Sequence, residues 1–278
     1  MTCTAPLSES ALKALADAAG RDHLRTASGD CWAYGGDNSR LHAPPQAVIF
    51  ATDTAQVQAV VEACRDRWIP LTARGRGTGT TGATVPDRGG VVLTFERMDR
   101  ILELDPDNRL MVVQPGVTNQ AVQDAAAAHG FFWPPDPTSA AYCSVGGNLA
   151  YNAAGPRAVK YGTPRENTLG LTAVTGSGHI LRTGVRTSKG VVGYDLTRLL
   201  IGSEGTLGIL TEAVLRLTPL AEGKRTLQGI YDSMDAAARA VSTGKFGMVS
   251  LLLSTEKNRS TLPSLLLDGI QDALSERE

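Results

Sequence analysis

The run Pro70-Leu71-Thr72-Ala73-Arg74-Gly75-Arg76-Gly77-Thr78-Gly79-Thr80-Thr81-Gly82-Ala83-Thr84-Val85-Pro86-Asp87-Arg88-Gly89-Gly90-Val91 reads as a short strand that opens into a glycine-rich loop. Gly75, Gly77, Gly79 and Gly82 permit backbone angles that most residues avoid, so consecutive N–H groups can turn inward and form a nest for an anion. Arg74 and Arg76 add positive charge, and a diphosphate is the expected guest. Gly77 to Gly82 also fits the dinucleotide fingerprint G-x-G-x-x-G. That fingerprint requires a helix after the glycines and an acidic residue about 20 positions on. Here Pro86 breaks any helix and Gly89-Gly90 leads into a strand, Val91 to Phe95, so the nicotinamide-binding reading loses its helix. A plain connecting loop remains the alternative.

Working outward, Ser8 to Ala19 reads as an amphipathic helix with Leu12, Leu15 and Ala19 on one face, capped by Ser8 or Ser10 and stopped by Gly20. Ala47 to Ala51 is a strand. Thr52 or Asp53 then caps a helix presenting Val57, Val60, Val61 and Cys64, which completes a β-α-β unit ending in the glycine loop. Ile101 to Leu104 and Arg109 to Gln114 form a hairpin, and Thr118 caps a helix to His129 with Gly130 behind it. Phe131 to Gly162 lacks periodicity and reads as a long functional loop. Leu169 to Thr175 with His179 to Thr183 is a second hairpin, followed by a helix near Asp195 to Ile201 and a strand over Leu207 to Leu217. Pro219 and Ala221-Glu222-Gly223 suggest a boundary. Beyond it Thr226 to Tyr231, Ser233 to Val241, Val249 to Ser254 and a Leu-rich helix to Leu274 read β-α-β-α.

With 278 residues, 42% of them apolar, the chain has material for a substantial core. A net charge of −1 from well-mixed residues gives no footprint for nucleic acid and no polybasic membrane anchor. Cys3, Cys31, Cys64 and Cys143 are too scattered for a C-x-x-C pair, and His23, His42, His129 and His179 show no ligand spacing, so no metal site is expected. Without a signal-like start or an apolar run of membrane length, a cytoplasmic protein is expected.

Two further stretches carry candidate chemistry. Pro134-Pro135-Asp136-Pro137 fixes the entry to Ser144-Val145-Gly146-Gly147-Asn148 and Asn152-Ala153-Ala154-Gly155, where a hydroxyl, bare amides and two carboxamides are placed to donate to phosphate, ribose or flavin oxygens. A capped helix start after a proline turn is the other reading. Gly202-Ser203-Glu204-Gly205-Thr206-Leu207-Gly208-Ile209 is a turn into a strand, with Glu204 and the Ile209 backbone available to a ring edge or ribose; a tight turn held by Ser203 and Thr206 is the alternative.

In that order, Arg74-Gly-Arg-Gly-Thr-Gly, Pro135-Asp-Pro, Ser144-Val-Gly-Gly-Asn, Asn152-Ala-Ala-Gly, Lys160-Tyr-Gly and Gly202-Ser-Glu-Gly-Thr-Leu-Gly-Ile resemble the FAD-binding domain of the vanillyl-alcohol oxidase and p-cresol methylhydroxylase flavoproteins. Within that group the chain is similar to the FAD-linked subunit of glycolate oxidase and to D-lactate and D-2-hydroxyglutarate dehydrogenases. The resemblance runs from about Asp37 to Pro219. It implies an α+β, PCMH-type domain of two subdomains with FAD between them, followed by a partial α/β cap. The expected division is an N-terminal helical segment over 1–41, the FAD-binding domain over 42–220 (subdomains about 42–100 and 101–220), and the start of a truncated cap over 224–278.

By the same resemblance, Arg74, Gly75, Arg76, Gly77, Thr78, Gly79 and Thr80 wrap the diphosphate. Pro135, Asp136, Ser144, Val145, Gly147, Asn148, Asn152 and Gly155 line the flavin, and Glu204, Gly205 and Ile209 close the far side. Thr78 stands where relatives with a covalent flavin often have histidine, so FAD is expected to be non-covalent. The implied reaction is oxidation of a 2-hydroxy acid to a 2-oxo acid, with hydride passing to flavin. The His-Gly-x-Gly-Asp-x-Asn-(aliphatic)-His segment of the similar dehydrogenases is absent up to Glu278, so no catalytic residue is assigned. The alternative is a flavin-binding subunit or fragment that works with a partner chain. Leu251 to Leu253, Leu262 and Leu265 to Leu267 either form an association surface or complete a small core. A reductase of the UDP-N-acetylenolpyruvoylglucosamine type shares the broad fold, but its catalytic segments are not evident.

Overall fold

The computed structural model describes residues 6–187, 189–223 and 229–243. Helix α1 (Glu9–Ala19) starts where the Ser8 hydroxyl accepts from the Ala11 N–H and ends at Gly20, whose φ of +82° a side chain would resist. It buries Ala11, Leu15 and Ala19, with Leu12 half-buried beside them. Strand β1 (Leu24–Arg25) and helix α2 (Ser28–Ala33) lead to β2 (Ala47–Phe50) and then to α3 (Thr54–Arg65). Asp53 rather than Thr52 caps α3, accepting from Gln56 N–H at 2.8 Å, and the expected stripe Val57, Val60, Val61 and Cys64 is buried. Strands β3 (Leu71–Arg74) and β4 (Val91–Thr94) complete a four-stranded sheet in the order β1-β2-β4-β3. Strands β2, β4 and β3 are parallel and in register at Ala47, Val91 and Leu71, with β1 antiparallel at the edge. The glycine loop therefore leaves the carboxyl end of an edge strand, and the chain re-enters the sheet at the neighbouring inner strand β4.

The second sheet is antiparallel throughout. Strands β5 (Ile101–Asp105) and β6 (Leu110–Val113) form the expected hairpin, and α4 (Asn119–Ala127) follows, capped by Thr118. The stretch 131–162, expected to be a loop, contains β7 (Phe131–Phe132), α5 (Val145–Tyr151) and α6 (Ala158–Tyr161). Strands β8 (Thr168–Val174) and β9 (Ile180–Gly184), helix α7 (Leu196–Leu200) and strand β10 (Ile209–Arg216) then give the order β5-β6-β10-β8-β9. Strand β10 starts two residues later than the sequence suggests because Gly202 to Gly208 form a turn. Beyond it β11 (Thr218–Pro219) pairs with β7, and Leu220 N–H donates to Gly130 O, so the chain stays attached through the expected boundary.

Helix α8 (Met234–Thr243) matches the helix expected from Ser233, whose hydroxyl accepts from Ala236 N–H. No strand is present at 229–231, where the end of one was expected; the strand expected over 249–254 and the Leu-rich helix lie outside the described residues. Among the described residues, no helix is long and apolar enough to cross a membrane.

Each sheet has its own core. The first is built on Leu15, Ile49, Val57, Val60 and Leu93, and it also takes in Val174 and Ile209 from the second sheet, so the two layers are joined by apolar contact. The second surrounds Trp133, Met111, Leu149 and Leu215. Trp133 is fully buried, and its indole N–H donates to Asn167 O at 2.9 Å.

Two outcomes follow from this packing. Asp53→Ala removes the α3 cap and is expected to lower unfolding free energy by about 1 kcal/mol in urea titration. Burial pushes the Cys64 thiol up to about 12, so at neutral pH it is a thiol and not a thiolate. Iodoacetamide should leave Cys64 unmodified in the folded protein and alkylate it once the chain is denatured, as read by peptide mass.

Candidate functional site

The glycine loop leaves β3 with its amides uncommitted. None of the backbone N–H groups from Gly75 to Thr81 donates to another atom of the protein. A run of unpaired donors at the rim of a fold calls for water or an anion. Its shape is imposed from outside by the segment Gly36 to Ser39. Asn38 N–H donates to Gly79 O at 2.9 Å and its carboxamide to Thr78 O. The Asp37 carboxylate accepts from the N–H groups of Ser39 and Gly82 and from the Thr84 hydroxyl. Arg74 donates to Gly36 O at 2.6 Å from a buried position where desolvation lowers its pKa, although a guanidinium keeps its charge there. Gly77, at φ +67°, lies against it: a Cβ would come within 2.2 Å of Arg74 Nη2. Arg74 thus braces the loop from within, while Arg76 is exposed.

Helix α5 forms the facing wall. It is seven residues long and has Gly146-Gly147, poor helix formers, in its first turn, so tertiary contacts set its start. Ser144 caps it, accepting from Gly147 N–H. Val145 N–H donates to Val117 O and Gly146 N–H to Pro115 O, each at 2.8 Å. The bare amides expected to face a ligand here are therefore already used within the protein. What remains is Asn148, which is 3% exposed and whose Nδ2 has no hydrogen-bond partner.

At two points the loop packs so closely on side chains of the facing wall that a Cβ would be crowded. A Cβ on Gly75 would lie 2.6 Å from Ser144 Oγ, and one on Gly79 would lie 2.7 Å from Tyr151 Oη. The third stretch hangs on the end of α5, with Gly202 N–H donating to Leu149 O and Glu204 N–H to Ala150 O, both at 2.9 Å. Together they enclose a cleft of about 240 Å³. Arg74 to Thr80 line one side, Ser144, Gly147 and Asn148 another, and Glu204, Gly205 and Ile209 the third.

The remaining candidates do not line this cleft. Pro135 O accepts from Asn119 Nδ2, and Val145 is fully buried in the second core. Asp136 N–H donates to Ala154 O, and its carboxylate pairs with Arg157 at 2.9 Å. Burial raises the Asp136 pKa, opposed by Arg157. Gly155, at φ +75°, packs on the Asp136 backbone so tightly that a Cβ would come within 2.1 Å of its carbonyl oxygen. Asn152 ends α5 in the left-handed region, with its Oδ1 buried and unpartnered. These residues support the wall from behind.

Sequence reasoning missed Phe95, Pro115, Ser139 and Tyr151, which line the cleft. Pro115-Gly116 directly after a strand was the available signal for Pro115. None of the four histidines lines the cleft: His23 contacts Arg97 and His42 stacks on Trp32. Among the described residues no group of His, Cys, Asp and Glu is placed to hold a metal ion.

The family model for the FAD binding domain matches residues 45–184, half of the chain. Glycolate oxidase subunit GlcD of Bacillus subtilis (strain 168) is 45% identical over 198 residues, covering 71% of this chain and 42% of that protein. D-lactate dehydrogenase of Archaeoglobus fulgidus is 38% identical over 213 residues, covering 77% and 48%. The solved structure of p-cresol methylhydroxylase with substrate bound superposes with a TM-score of 0.68 at 25% identity, over 77% of this chain and 44% of that one. The chain spans less than half the length of these curated relatives. By the family match and the shared p-cresol methylhydroxylase-type fold, the chain belongs to the FAD binding domain family and its cofactor is FAD.

Proposed function

We propose that this chain is the FAD-carrying part of an oxidoreductase that converts a 2-hydroxy acid into a 2-oxo acid. The observation that carries the proposal is the run of uncommitted amides from Gly75 to Thr81, across a cleft from a buried carboxamide whose Nδ2 has no partner. Those residues suit FAD. Gly75 to Thr80, with Arg76 and backed by Arg74, would hold the diphosphate. Ser144, Gly147, Asn148, Glu204, Gly205 and Ile209 would border the rest, with Pro135, Asp136, Val145, Asn152 and Gly155 keeping that border in place. On this reading 42–220 is the cofactor-binding unit, preceded by a helical segment over 1–41, and 224–278 begins a substrate-side cap.

When bound, the flavin supplies the two-electron acceptor chemistry. The chain's own contribution is to neutralise the diphosphate, orient the ring, and keep water away with Phe95, Pro115, Ile209 and Leu210. The hydroxyl proton of the substrate needs a base. Burial raises the Tyr151 pKa, so its phenol stays protonated at neutral pH, and no histidine lines the cleft. That favours a second reading, in which the chain is a flavin-carrying subunit or fragment and a partner chain supplies the substrate groups. The names of the glycolate oxidase subunits among the relatives fit such a partner.

Anaerobic addition of glycolate or D-lactate to the flavin-loaded chain distinguishes these readings: bleaching of the oxidised flavin spectrum supports the first, and an unchanged spectrum supports the second. Thr78 offers no ring nitrogen for a covalent link, so acid precipitation should leave the yellow colour in the supernatant; colour in the pellet would refute non-covalent attachment. Gly77→Val puts a side chain against Arg74 and is expected to weaken FAD binding by at least about tenfold in titration calorimetry.

A further inference from the structure

The Asp37 carboxylate is half-buried behind the glycine loop, outside the cleft lining, and its two oxygens have different partners. Oδ1 accepts from Ser39 N–H at 2.8 Å, a turn that presents Asn38 to the loop. Asn38 donates to Gly79 O from its N–H at 2.9 Å and to Thr78 O from its carboxamide. Across a trans peptide the carbonyl and the N–H that follows it point opposite ways, so these bonds turn the N–H groups of Gly79 and Thr80 away from Asn38. Both residues line the cleft, and neither N–H has a partner within the protein. Oδ2 accepts from Gly82 N–H at 3.1 Å and from the Thr84 hydroxyl at 3.4 Å, just past the loop. The same hydroxyl accepts from Arg74 Nη1 at 3.4 Å, where the loop begins. By charge alone a carboxylate behind an anion site is adverse, because its removal strengthens the field that attracts a diphosphate. Its geometry acts the other way: a carboxylate accepts at both oxygens, and three donors converge on this one.

We infer that Asp37 is a positioning residue for diphosphate recognition: it fixes the far half of the glycine loop so that the uncommitted amides converge on one anion, and this geometric gain outweighs the adverse charge. Asp37 itself never touches the ligand. The inference rests on the flavin reading above and adds to it a residue whose effect on binding has the sign opposite to that of its charge.

The full 278-residue chain, freed of flavin, is titrated calorimetrically with FAD and separately with ADP, at a temperature where melting curves show each variant folded. Asp37→Asn keeps the size of the side chain and one acceptor oxygen, but it removes the charge and sets an amide N–H against the Ser39 or the Gly82 N–H. Thr84→Val removes the hydroxyl at the other end of the tie. Asp37→Asn is expected to weaken FAD and ADP alike by about tenfold, and Thr84→Val both by about threefold. The two ligands share the diphosphate, so an equal loss assigns the effect to the loop. A residue that only supported the fold would lower the melting temperature and leave both affinities of the folded chain unchanged. Unchanged or tighter FAD binding by Asp37→Asn overturns the inference, the tighter result showing that charge outweighs position. So does a loss for FAD without a loss for ADP, or a wild-type chain that binds FAD but not ADP. If Asp37→Asn does not fold, Thr84→Val decides by the same criteria. A wild-type chain that takes up no FAD removes the flavin reading first, and is recognised before any variant is made.

Discussion

The arrangement depends on how closely one glycine-rich backbone packs against the side chains that face it. The loop after β3 meets the two ends of α5, with Gly75 on the Ser144 hydroxyl and Gly79 on the Tyr151 phenol, where an added Cβ would lie 2.6 Å and 2.7 Å from those oxygens. At that distance the loop cannot curl onto itself, so its N–H groups have neither a helix nor a sheet to enter. The run is exposed or half-buried throughout, so water can pair these donors in the ligand-free chain. On the proposed reading the FAD diphosphate would take the place of that water.

The segment Gly36 to Ser39 is what keeps the loop from collapsing in the anion's absence. It supplies carbonyl and carboxylate acceptors at the loop's outer edge, and Arg74 crosses beneath to reach Gly36. Burying a guanidinium is costly unless it is surrounded by partners. Arg74 has the Gly36 carbonyl, the Tyr34 ring with its centroid at 5.7 Å, and the carboxylates of Asp37 and Glu96. The Tyr34 phenol, pushed up to about 12 chiefly by burial, stays protonated and donates to Glu96. The positive charge beneath the loop is held by a network that reaches the first core.

Local rules made much of this legible in the sequence. Asp53, Thr118 and Ser144 each cap the helix that follows them, and Val57, Val60, Val61 and Cys64 share a buried face because a 3.6-residue period demands it. Neighbours far along the chain were not legible. Strand β4 slots between β2 and β3, and α5 exists because Val117 and Pro115 accept its first amides. Glycine-rich stretches announced the cleft because few other residues tolerate such contact. The same signal at Gly155 marked a different close approach, onto Asp136, and nothing in the residue type separates the two. Tyr151 carried no local cue, since its place opposite Gly79 arises only when the two layers meet.

Helix α3 belongs to the first sheet yet grips the far tip of the second. Gln58 donates to Gly178 O at 2.8 Å, and Arg65 donates to Ser177 O at the β8–β9 turn. These ties lie at the end of the β8–β9 hairpin, and Val174 and Ile209 of the second sheet are part of the first core. The helix therefore fastens the turn end of the β8–β9 hairpin to the first layer. The spacing of the two layers that flank the cleft is set in part by side chains, Gln58 and Arg65, that do not line it.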